Sequence, residues 1–96
     1  MPLGKKARPM RDASGIVVSI YSKPDCHLCE EAKAQLIELQ KRHGFRLEEV
    51  DITRDARLLA EYEARLPLIW VNGCLACKYR VDEKALVAHM RVSSNQ

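Results

Sequence analysis

Ninety-six residues, 47% hydrophobic and 30% charged, suit one globular domain that can bury a core and exclude two. No apolar run approaches the roughly 18 residues that span a bilayer, which excludes a membrane-spanning helix. The formal charge of +3 resides in Met1–Asp12, where Lys5, Lys6, Arg8 and Arg11 face only Asp12, and the balanced remainder gives no reason to expect a nucleic-acid partner.

Residues 1–15 read as a flexible basic extension, 16–92 as the domain and 93–96 as a polar tail. No long apolar segment follows the basic residues as a secretory signal requires, so the chain is expected in the cytoplasm. The β-branched run IVVSIY forms the first strand, stopped by Ser22-Lys23-Pro24-Asp25 because proline cannot continue a ladder. From Cys26 the positions Cys29, Ala32, Leu36 and Leu39 recur at helical steps, with acids early, Lys41 and Arg42 late and Gly44 as the stop. FRLEEVDI alternates as a second strand, with Glu49 blurring its faces. Thr53 is expected to cap a second helix through RDARLLAEYEARL, with Leu58, Leu59, Tyr62 and Leu66 as its inner stripe and Pro67 as its end. LPLIWVNGCLACKYRV gives two strands joined at Asn72-Gly73, a dipeptide suited to a tight hairpin turn. Asp82 caps a last helix through Val92, whose Ala85, Leu86, Val87 and Met90 pack on the sheet. The order β-α-β-α-β-β-α makes strands one and two parallel with a right-handed crossover and the hairpin antiparallel, hence a mixed sheet.

Four cysteines would form a disulfide scaffold in a secreted chain, but serve as metal ligands or redox groups in a reducing compartment. Cys26, expected at the first helical position, meets unpaired backbone N–H groups and the positive end of the helix dipole, both of which favour thiolate. Lys23 adds positive charge, a protonated His27 would add more, and Asp25 opposes them. Cys29 follows by about one turn on the inner stripe, so the sulfurs reach bonding distance. Such a pair supports an asymmetric exchange: Cys26 attacks a substrate disulfide and Cys29 resolves the mixed disulfide. The alternatives for a CxxC are half of a zinc site or two buried small residues, and a strand before with a helix after favours redox chemistry.

YSKPDCHLC, the RLP of residues 65–67, VNG at 71–73, VDEKAL at 81–86 and the element order resemble a glutaredoxin-like protein of the thioredoxin-fold superfamily. The resemblance implies an α/β three-layer fold with a four-stranded mixed sheet of order 2-1-3-4. It also implies a cis Pro67 whose loop packs against the Cys26–Cys29 corner, with Leu66 before it, and thiol-disulfide oxidoreductase activity on protein or glutathione mixed disulfides. Lys23 and Asp82 match family positions that contact the charged ends of glutathione, a candidate co-substrate, and Tyr21 covers the active-site turn. No bound cofactor or metal is required, and a monomer is expected. The chain departs from the family in carrying His27 and Leu28 between the cysteines and in lacking the family's glycine pair before Asp82.

Cys74 and Cys77 form a second CxxC. Residues 30–73 separate it from the first, far more than a zinc ribbon allows, and on a regular strand the two side chains point to opposite faces, which prevents joint chelation. A loop or a bulge would remove that objection, so a cysteine-based zinc or iron–sulfur module stays as the alternative function. Otherwise one of them is a buried small side chain, or Cys77 is an extra redox thiol. His43 is expected to meet helix-end carbonyls, His89 to have no evident partner, and Trp70 to lie in the core.

Overall fold

The computed structural model describes residues 15–94; the expected leader up to residue 14 and residues 95–96 of the expected tail lie outside that range. Alternation governs β1 (Val17–Ser22): Val18, Ile20 and Ser22 are buried on one face, and Val17, Ser19 and Tyr21 are half-buried on the other. Helix α1 (His27–His43) buries Cys29, Ala32, Leu36 and Leu39 on one stripe. It ends at Gly44, whose φ of 73° is the left-handed conformation glycine adopts without penalty and whose N–H donates to the Gln40 carbonyl at 2.9 Å.

The next segment differs from the single helix expected after Thr53. β2 (Arg46–Asp51) is followed by a 3₁₀ turn (Ile52–Arg54), then α2 (Ala56–Tyr62), then a second 3₁₀ turn (Glu63–Arg65). Thr53 does not cap α2, because its own N–H and hydroxyl donate to the Asp51 carboxylate at 2.9 and 2.6 Å. These bonds hold the Asp51 carboxyl below its ordinary range. The cap is Asp55, which accepts the N–H groups of Arg57 and Leu58 at 2.9 and 3.3 Å. Two acids, each immediately before the start of a turn, thus break one periodic stretch into pieces.

β3 (Leu68–Val71) and β4 (Cys74–Lys78) form the expected hairpin, with φ of 48° at Asn72 and 86° at Gly73. Asn72 also secures β1: its N–H donates to the Val17 carbonyl at 2.8 Å and its Oδ1 accepts the Val17 N–H at 2.7 Å. The sheet order is β2-β1-β3-β4, with β1 parallel to β2 and antiparallel to β3, as the mixed-sheet reading required. Helix α3 (Glu83–Ser94) runs two residues beyond the expected end. One face of the sheet packs Val18, Ile20, Ile69 and Val71 against Leu36 and Leu39 of α1 and Leu86 and Met90 of α3. On the other, Tyr62 of α2 meets Tyr21 and Trp70, with ring centroids 5.4 and 6.1 Å apart. Trp70 is therefore half-buried in an aromatic cluster rather than fully in the core, and its indole Nε1, shielded from solvent, has no hydrogen-bond partner.

His43 does not bond to helix-end carbonyls. Its Nε2 lies 2.9 Å from Glu83, which also accepts Arg42 at 3.0 Å, joining the end of α1 to the start of α3. Hydrogen bonding to His43, with Arg42 assisting, pulls the Glu83 carboxyl below its ordinary range. A carboxyl depressed in the folded state stabilises above its unfolded pKa and loses that contribution as pH falls through the folded value. The stability difference between the native chain and Glu83→Gln should therefore be constant at neutral pH and shrink from about pH 5 toward pH 3, measured by urea unfolding. A difference that grows on acidification would contradict this coupling.

Candidate redox site

The site is built where β1 gives way to α1. Pro24 interrupts the ladder and Asp25, at φ 60°, takes the left-handed conformation that aspartate tolerates better than most residues. The chain then turns so that Cys26 is the N-cap, one position earlier than expected, with φ −105° and ψ 107°. Its carbonyl accepts the first helical bond from the Glu30 N–H at 3.0 Å, and its Sγ accepts the Cys29 N–H at 3.3 Å. That N–H is one of the donors a helix start leaves without a carbonyl partner, and a thiolate is a better acceptor for it than a thiol.

Cys29 is 1% exposed and Cys26 half-exposed. The two sulfurs lie in disulfide contact, with Cα atoms 5.2 Å apart. Cys26 thus keeps part of its surface in solvent while Cys29 is sheltered. His27 is exposed, and its Nε2 lies 2.9 Å from the Glu31 carboxylate on the helix surface.

Behind the cysteines lies an apolar wall. Cys29, Ile52 and Leu66 are buried together, and Tyr21, Leu58, Leu59 and Tyr62 pack on them beside Cys26. The Leu66–Pro67 peptide is cis and Pro67 is fully buried. The structure therefore gathers Tyr21 and Leu66 with Cys26 and Cys29, and Pro67 follows Leu66 in the chain. Lys23 is half-buried in the segment between β1 and Cys26. Asp82 stands on another element, where its carboxylate accepts the N–H groups of Lys84 and Ala85 at 3.0 and 3.3 Å and caps α3.

Sequence reading missed the polar bridge beneath α1. Ser22, buried at 4%, donates to Glu49 at 3.0 Å, and Lys33 reaches the same carboxylate at 3.1 Å. Hydrogen bonding to Glu49, with Glu30 3.6 Å away adding to it, raises the Lys33 ammonium above its ordinary range. Glu49 was the residue that blurred the two faces of β2 in the sequence, and this bridge is the reason.

The second CxxC behaves unlike a regular strand. A bulge in β4 sets Cys74 opposite Val71 and Cys77 opposite Ile69, two positions apart on β3, so both cysteines lie on the face covered by α3. The alternation that would have kept them apart is lost at Ala76. Even so, among the described residues no group of three or more His, Cys, Asp or Glu side chains is gathered as a metal ion needs. Cys74 is exposed; Cys77 is buried, and burial pushes its thiol up. His89 has a partner after all, with Nδ1 2.9 Å from the Ala85 carbonyl.

Residues 17–91 match the model of a family described as Glutaredoxin-like domain (DUF836). The chain belongs to this glutaredoxin-like family. Protein Ne2328 of Nitrosomonas europaea is 32% identical, with a TM-score of 0.69, over 77% of this chain and 89% of that one. Target protein XcR50 of X. campestris is 30% identical, with a TM-score of 0.61, over 78% of this chain and 96% of the other. Mitochondrial thioredoxin 3 of Saccharomyces cerevisiae, in its oxidized form, is 18% identical with a TM-score of 0.57 over 88% of this chain and 85% of its own, a likeness of fold alone. The glutaredoxin-like domain therefore has the thioredoxin-like fold. No helix among its described residues is long and apolar enough to cross a membrane.

Proposed function

We propose that this glutaredoxin-like domain is a thiol-disulfide oxidoreductase that reduces or exchanges disulfides of proteins or of glutathione. The observation that carries the reading is the sulfur–sulfur contact between half-exposed Cys26 at a helix start and buried Cys29 one turn on. In the dithiol form the Cys26 thiolate attacks one sulfur of a substrate disulfide, forming a mixed disulfide and releasing one substrate thiolate. Cys29 then gives up its proton to solvent and attacks the Cys26 sulfur, which closes the Cys26–Cys29 disulfide and expels the second substrate thiolate. Two electrons pass from protein to substrate, and an external thiol or dithiol returns the pair to its reduced form. Half-buried Tyr21 and the Leu66–Pro67 segment would border the groups flanking the substrate disulfide, and Lys23 would attract an acidic one.

The exchange is direct and needs no bound cofactor. Glutathione is a co-substrate candidate, and the domain is proposed to act as a monomer in the cytoplasm, where thiols are kept reduced. Replacing the resolving residue tests the reading. Cys29→Ser retains the attacking thiolate, so incubation with a disulfide-bridged peptide should accumulate a stable adduct on Cys26, detected by mass and released by dithiothreitol. No adduct, or one on Cys74, would remove the proposal.

A further inference from the structure

The second CxxC leaves an unexplained thiol. Cys77 Sγ lies 3.5 Å from the Asp82 N–H, which donates to it, and 3.7 Å from the Asp82 carbonyl, to which its S–H donates. One neutral thiol thus links the end of β4 to the residue that caps α3, enclosing residues 78–81 in a hook. Within the hook Tyr79 sits at φ 68°, left-handed and unfavourable for an aromatic residue, and the Arg80 N–H donates to the Lys78 carbonyl at 2.7 Å. The Tyr79 N–H in turn donates to the Pro67 carbonyl at 2.8 Å, the final rung of the β3–β4 ladder and the one at the redox site.

We propose that Cys77 is a positioning residue: its thiol clasps Asp82, which holds the 78–82 hook and, through Tyr79, the Leu66–Pro67 segment against which substrate is placed. The bulge at Ala76 is what turns Cys77 inward to do this; in regular register its side chain would face the opposite side of the sheet. Burial, which keeps the thiol protonated, preserves both its donor and its acceptor role. The inference rests on the oxidoreductase reading for its link to substrate but not for the clasp itself.

Two variants separate the clasp from mere filling of space. Cys77→Val conserves bulk and removes both polar contacts; Cys77→Ser keeps a donor and an acceptor. With a disulfide-bridged peptide as substrate and dithiothreitol as reductant, Cys77→Val should raise KM about fivefold, with kcat little changed. Cys77→Ser should stay within about twofold of the native chain. Dithiobis(nitrobenzoate), which has no peptide backbone to seat, should oxidise the Cys26–Cys29 pair at the same rate in all three proteins. Equal KM values for Cys77→Val and the native chain, or equal losses on both substrates, would overturn the proposal. If the native chain reduces neither probe, the oxidoreductase reading fails while the clasp is still decided by amide hydrogen exchange. The Tyr79 and Asp82 amides should lose protection in Cys77→Val and keep it in Cys77→Ser, and unchanged protection in Cys77→Val would refute the clasp.

Discussion

Cys26→Ser should lower the rate of disulfide reduction at least about a thousandfold, because serine supplies no thiolate at neutral pH and its oxygen cannot form the mixed disulfide. The loss should come without a loss of fold. Cys26 is a half-exposed N-cap whose sulfur accepts one N–H, and serine is among the residues that fill such a cap well. Circular dichroism of the variant should therefore match the native spectrum while turnover disappears. In the native reduced protein, iodoacetamide at neutral pH should alkylate Cys26 well before the buried Cys29 and Cys77. Should the Cys26→Ser variant retain substantial turnover, the nucleophile lies elsewhere, and the exposed Cys74 would be examined next.

The largest expected effect on stability is at Phe45. Its ring is wholly buried in the core cluster that holds Ile16, Val18, Leu36 and Leu39, while its carbonyl accepts Gln40 Nε2 at 3.0 Å. Phe45→Ala should cost about 3–5 kcal/mol, a large part of the 5–15 kcal/mol typical of a small domain, and lower Tm by more than about 12 °C. Ile37, 43% exposed on the outer side of α1, provides the contrast: Ile37→Ala should change stability by less than about 1 kcal/mol. Urea unfolding of the two variants checks both, and similar losses would show that the core does not centre on Phe45.

Much of this fold could be read from local rules because the elements obey them separately. The helical stripe from Cys29 to Leu39, the Gly44 stop and the Asn72-Gly73 turn each carry their own physical cause, and each occurs where the residues placed it. Cys26 and Cys29 were legible for the same reason, since a separation of three residues at a helix start fixes their relation. What escaped depended on competition or on distant partners. Thr53 and Asp55 are both competent caps, and Thr53 is diverted by Asp51, an arrangement that periodicity does not encode. His43 could bond to helix-end carbonyls or to Glu83, forty residues away in the chain, and only the packing of α1 beside α3 decides for the latter. The bulge at Ala76 reversed the inference about Cys74 and Cys77 because a single inserted residue inverts every side chain beyond it.

That same irregularity has a consequence for how peptides are met. A sheet offers partners two open margins, and here neither presents an even row of free amides and carbonyls. β4 is broken by its extra residue, and β2 carries Arg46, Glu48 and Glu49 along its length. Recruitment of an extended polypeptide by adding a fifth strand is thereby disfavoured on both sides. Under the proposed function, a disulfide-bearing chain would instead approach end-on, at the start of α1 where Cys26 is half-exposed.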